Sequence, residues 1–340
     1  MCYLLKMKII EIRNRHPKKI RRRPSYFEEF DNIDFHARFG LSKESVTIVL
    51  TEIEQYISHK TEQNHAISPM NQLLLTLRFY ATGNHLLSVA DFSGVSKTSS
   101  HRIIHRVINA IARLRLRCIK FPMLAEEIKR KQIKFFDIAP RVIGCIHCTY
   151  IKIQSFGDGS DAEYFRNRKG YFFINVQAIC NANLEITDIV ARSVHNATIF
   201  NNSRIRALFE DGMFENSLLL DDGGYSVRPY FMTPLQNPRT RAKHVFGIWK
   251  RRFPILALGS RFQKVDKVLP IIVATAVLYN IAQRAGDPLP ADDPTLQLPA
   301  PWENILQNGN IPCRNDRLDN YNMRHILIND YFQRLLQKVS

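Results

Sequence analysis

The stretch VIGCIHCTYIKI, residues 142–153, reads as a buried β-strand, a run of β-branched and apolar residues of strand length. Its centre is unusual. Cys145 and Cys148 flank His147 where branched aliphatics would pack as well. Thiolate and imidazole are ligands that zinc favours, and Cys-x-x-Cys is a familiar zinc spacing. On a strand, however, Cys145 and His147 share one face while Cys148 points to the other. No second Cys/His pair stands at a zinc-like spacing. The preferred reading is therefore a strand whose cysteines are small buried hydrophobes.

Further strand patterns follow, in GYFFINVQAICNA (170–182), EITDIVARSV (185–194) and SLLLDDGGY (217–225). Turn signals separate them at GDGSD (157–161) and NAN (181–183). Helical periodicity appears at 200–210, 242–251 and 267–283. Three strands joined by short turns, then a fourth beyond a helix, predict an α/β fold with a mixed sheet flanked by helices.

Upstream the period is helical throughout. A helix capped near Ser42 is expected, then one opened by Ser68 and Pro69 and closed by Gly83. LLSVADF (86–92) and Gly94 lead to Ser96, which opens a helix with Ile103, Ile104, Val107, Ile108 and Ile111 on one face. Lys97, Thr98, His101, Arg102, His105 and Arg106 begin the other face. A helix, a glycine turn and a helix with a basic leading edge suit a helix-turn-helix that reads a major groove, although such pairs also occur in all-α domains without that role. Residues 114–135 read as a basic linker. The expected divisions are 1–66, a basic tail with short helices; 67–120, the helix-turn-helix-like region; 136–285, the sheet domain; and 286–340, a linker with a final helix over 323–338.

The charge narrows the partners. The 340 residues hold 48 Lys and Arg against 31 Asp and Glu, a net of +17, which favours a polyanion such as duplex DNA. Six cysteines spread over this length fit reduced thiols better than a disulfide framework. The run RHPKKIRRRP (15–24) suits a nuclear-import signal, an arm that grasps phosphates, or a solvated tail. The longest apolar run, 268–282, contains Pro270 and Asn280 and is short for a bilayer span, so a buried helix and no membrane are expected. No signal peptide is expected either, because the first residues lack a long apolar stretch with a cleavage site.

Seven stretches in order carry a resemblance over about residues 30–335: LLLTLRFYATG (73–83), GVSKTSSHRIIHRV (94–107), IGCIHCTYIKI (143–153), 163–191, LLLDDGGYSVRPYFMTPL (218–235), FGIWKRRF (246–253) and ATAVLYNIA (274–282). Together they resemble the Harbinger-type transposases and the nuclease derived from them, with a DDE superfamily endonuclease domain. The resemblance implies an RNase H-like sheet, an upstream helix-turn-helix, a nuclear location (with the cytoplasm as a second compartment), DNA as substrate, and phosphodiester cleavage by two Mg²⁺ or Mn²⁺ ions held by carboxylates.

The carboxylates are where this sequence departs from the family. An acid is expected where GCIHCTYI has His147, where VHNATIF has Asn196, and where AKHVFG has Lys243; the acid of LDDGGY is retained as Asp222. Neutral His147 and Asn196, negative Asp222 and positive Lys243 sum to zero, against four negative charges in the family pattern. Asp221 is a further candidate metal ligand, expected on the opposite face from Asp222. Two unit charges about 4 Å apart interact by roughly 4 kcal/mol at an effective dielectric of about 20, so a lysine in place of a glutamate turns attraction of that order into repulsion. Hard divalent cations want oxyanions. A degenerate metal site with weak or lost cleavage is expected, with His147 a drifted position. An active metal-dependent endonuclease and a protein-interaction platform are the alternatives. Arg166, Arg168 and Lys169, and also Lys250 and Arg251, are expected to contact phosphates beside the old site, the bland readings being a solvated turn and a structural helix end. A protein partner for nuclear import or DNA targeting also fits.

Overall fold

The computed structural model describes residues 23–58, 66–83, 86–136, 139–153, 172–192, 196–221, 225, 228–232, 239–260, 262 and 264–290. Side chains at 192, 196–197 and 239–243 are likewise outside the description. So are residues 1–22, which carry most of the basic run, and the expected helix over 323–338.

The N-terminal region is all helical: α1 (Tyr26–Glu29), α2 (Asn32–Phe39), α3 (Lys43–Ile57), α4 (Pro69–Thr82), α5 (Leu86–Phe92), α6 (Lys97–Arg113), α7 (Arg115–Cys118) and α8 (Ala125–Phe135). The capping expected from sequence is present. Ser42, Ser68 and Ser96 accept from the backbone N–H of Ser45, Asn71 and Ser99, each satisfying a donor of a first turn. Gly83 ends α4 in the left-handed conformation. Residues 114–135, read as a linker, instead form α7 and α8. In α8 the apolar Ile133 is exposed and Lys and Arg are interspersed, which hid the helical period.

The sheet follows: β1 (Val142–Ile153), β2 (Phe172–Cys180), β3 (Ile186–Arg192), then α9 (Asn196–Asn201), α10 (Arg204–Glu210), β4 (Leu218–Leu220) and β5 (Phe231–Met232). Its order is β3-β2-β1-β4-β5. β1 and β2 are antiparallel with His147 opposite Ala178, and β2 and β3 are antiparallel with Ala178 opposite Ile189. β4 runs parallel to β1, with Leu220 beside Cys145, and β5 parallel to β4. This is the predicted α/β class, a mixed five-stranded sheet with flanking helices, as in an RNase H-like fold.

A register shift between Val142 and Gly144 changes which residues share a face. Val142 and Cys145 enter one core and Ile143 and Ile146 the other. Gly144 is required there: a Cβ would come within 2.6 Å of Cγ2 of Ile179.

The chain returns through α11 (Arg239–Arg252), α12 (Ile255–Leu258) and α13 (Val265–Ala285). At 21 residues α13 is longer than the 15-residue apolar run suggested, and by length and composition it could cross a membrane, but 67% of its apolar window is buried in the protein. It packs against α3, α6, α7 and β3. Asn280 fixes it to the sheet edge, accepting from Ile186 N–H (2.8 Å) and donating to Ile186 O (2.6 Å) and Cys118 O (3.0 Å). One apolar core therefore runs from Phe35 in α2 through the sheet to Ala282 in α13.

A buried ionic knot closes the same joint. Arg252, at the end of α11, donates to Gly40 O (2.8 Å) and Pro288 O (2.9 Å) and lies 3.7 Å from the Asp287 carboxylate. Asp287 accepts from Ser42 N–H and from the Ser42 and Ser45 hydroxyls at 2.6–2.9 Å. Burial lowers the pKa of Arg252, the sign of a cation taken out of water.

Candidate functional site

His147 lies mid-strand on β1, 8% exposed, on the face that carries Cys145 and Ile151. Its ring meets Phe246 of α11 at 5.6 Å between centroids. Cys148 is on the other face, its Sγ 3.1 Å from the Tyr225 hydroxyl. Cys145 is buried opposite Cys180, whose thiol reaches Cys145 O at 3.6 Å. The sheet thus sets Cys148 apart from Cys145 and His147, as the strand alternation predicted. Among the described residues no three His, Cys, Asp or Glu side chains gather in a metal-binding group.

The elements that carry the other family positions lie along β1 and its neighbours β2 and β3. β4 ends at Leu220 beside Cys145, and Asp221 follows, buried, with its N–H on Met232 O at 3.1 Å. Asp222 lies outside the described residues. Asn196 is the first residue of α9, which packs on β2 and β3, and Lys243 is on α11, which packs on β1 and β2; neither side chain is described. Arg166, Arg168 and Lys169 also lie outside the described residues.

Lys250 is placed differently from the surface position its basic neighbours suggested. It is 5% exposed, its Nζ donates to Tyr150 O of β1 at 3.0 Å, and burial pushes its amine down from the usual 10.5 to about 8. A charge held inside in this way is not offered to a phosphate at the surface. The spacing of Phe246, Trp249, Lys250 and Phe253 is that of one helical face, a signal that the run of basic residues concealed. Arg251 is half-buried, with Nε on Gly247 O at 3.4 Å.

The basic edge of α6 is better presented. Ile103, Ile104, Val107, Ile108 and Ile111 face inward against α3, α4, α5 and α13. Lys97, Thr98, His101 and Arg102 are exposed, and Arg106 is half-buried. The turn from α5 is made at Gly94, with φ +63°, and closed by the Ser96 cap. The expectation that no second Cys/His pair stands at a zinc-like spacing is corrected on this edge: His101 and His105 are four residues apart on one helix and their rings meet. His101 and His105 meet Nε2 to Nε2 at 3.2 Å, and Phe262 lies 4.7 Å from the His105 ring. Burial, helped by His101 and Lys267, lowers the pKa of His105 to about 4.

Residues 146–280 match the model of the DDE superfamily endonuclease family, a span that includes His147, Asn196, Asp222, Lys243 and Asn280. Over 272 residues the chain is 26% identical to "Putative nuclease HARBI1" of Homo sapiens, covering 73% of this chain and 77% of that protein. The protein of the same name from Bos taurus is 27% identical over the same length, and that from Xenopus laevis 25% over 267 residues. No solved structure matches the chain.

Proposed function

We propose that the chain, which matches the DDE superfamily endonuclease model over residues 146–280 and resembles the "Putative nuclease HARBI1" proteins, is a Harbinger transposase-derived, nuclear DNA-binding protein whose metal-dependent cleavage has been lost. One observation carries the proposal. The middle of β1, where the family resemblance expects an acid, holds an imidazole packed on Phe246. A paired-Mg²⁺ or Mn²⁺ site does not fit this donor set: imidazole, amide and ammonium supply no anionic oxygen, which leaves Asp222 and at most Asp221.

Binding is carried by charge. Lys97, Thr98, Arg102 and Arg106 on α6 form the leading edge, with Arg166, Arg168 and Lys169 as a second set of phosphate contacts near the old site. The basic run at 15–24 serves nuclear import in this reading.

Affinity for a labelled duplex, measured across salt concentrations, tests the binding. The expected log–log slope is steep, and it becomes shallower by about 1 for each of Lys97→Ala and Arg102→Ala. Affinity indifferent to salt would favour the protein-platform reading. The same preparation, incubated with supercoiled plasmid and Mn²⁺, is expected to leave it intact. Nicking that stops in Asp222→Ala would establish an active nuclease instead.

A further inference from the structure

We propose that His101 and His105 form a binding site for a borderline divalent transition cation of the Zn²⁺, Cu²⁺ or Ni²⁺ class, on the exposed edge of α6. The two stand four residues apart on one helical face, the spacing at which helices present paired imidazoles to zinc.

The geometry matches the bite of such an ion. Metal–imidazole bonds are about 2.0–2.1 Å. Two such ligands are separated by about 2.9 Å at a right angle and about 3.3 Å at the tetrahedral angle, as follows from that bond length. The observed Nε2–Nε2 separation of 3.2 Å lies between them. It is reached without an ion because one neutral ring can donate to the other; with the ring centroids 4.4 Å apart, the two rings turn slightly outward to take an ion.

The surroundings favour coordination over simple charge attraction. Phe262 packs on both rings, at 4.7 Å from His105 and 6.1 Å from His101, and limits their rotation. The His105 ring is half-buried beneath Phe262. Asp266 and Lys267, at the start of α13, act on that ring with opposite signs. Lys97 and Arg102 add positive charge along the same edge. A hard cation such as Mg²⁺, which needs oxygen ligands, gains nothing here. No third His, Cys, Asp or Glu among the described residues joins the pair, so waters complete the shell and the site is open. The proposal does not depend on DNA binding.

Calorimetric titration of the tag-free full chain with Zn²⁺ and with Ni²⁺ near pH 7 tests it. Expected is one-to-one uptake that weakens at least tenfold in H101Q and in H105Q, with no uptake of Mg²⁺. His101 is exposed, so H101Q keeps the fold (checked by circular dichroism) and carries the test even if H105Q does not. A Cu²⁺ paramagnetic resonance spectrum with two equivalent nitrogens, reduced to one in H101Q, supports the same conclusion. No uptake by the unaltered chain, or uptake unchanged in H101Q, overturns it.

Discussion

At Lys250 a cation sits inside the protein with one backbone acceptor, Tyr150 O, for its ammonium. The folded state therefore binds this proton less tightly than the unfolded chain, with a pKa of about 8 against the usual 10.5. Between those values the unfolded chain holds more protons, so the group's contribution to stability rises with pH. Below about pH 8 the full penalty applies, on the order of 3 kcal/mol at 1.36 kcal/mol per unit. Lys250→Met keeps most of the side-chain volume and removes the charge. It is expected to raise the Tm at pH 7, with an advantage that shrinks as the pH climbs through 8 towards 10.5; an advantage constant across that range would rule out burial of the charge. His147 shows a quieter substitution. A ring packed on Phe246 fits the middle of β1, where a lone carboxylate would be costly to desolvate.

Among the elements, α13 acts as a sixth rail along the sheet. Asn280 offers Ile186 both an acceptor and a donor, the pair of bonds that a neighbouring strand would have given at that edge. Asn280→Ala strands these two backbone groups in the interior, while Cys118 O keeps its bond from Arg284. At about 1–3 kcal/mol per buried unsatisfied group, a loss of several kcal/mol is expected in chemical denaturation; a loss below 1 kcal/mol would mean that water replaces the amide. Most of the elements were legible in the sequence because their signals are local. Ser42, Ser68 and Ser96 mark helix starts, and the strands of 142–192 carry β-branched runs. What escaped was set by distant partners. β5 is only two residues after Pro229, and it is a strand because β4 lies beside it. The fate of Lys250 depended on the facing strand. The pairing of His101 with His105 was present as a spacing, but the role of Phe262 depended on how the chain returns.

Taken whole, the described residues from α2 to Asp287 are tied together rather than assembled from separable parts. Residues 42, 45, 252 and 287 meet in one buried ionic knot, and one core spans helices and sheet. Breaking a buried pair by deleting one partner typically costs about 3–5 kcal/mol, because the other charge is left alone. Asp287→Ala is expected to lower stability by that order while calorimetry still shows one transition; two resolved transitions would mean that the helical region and the sheet melt separately.

The reach of α13 also bears on how the protein is made. Helices α3 and α6 leave the ribosome early, yet the wall they pack against is residues 265–285. Until that segment has been synthesised, the part of the isoleucine face of α6 that α13 covers, beyond what α3, α4 and α5 shield, is exposed to chaperones or to misassociation. A message truncated after the first 130 codons or so would thus yield a polypeptide bound for degradation, not a free-standing groove reader.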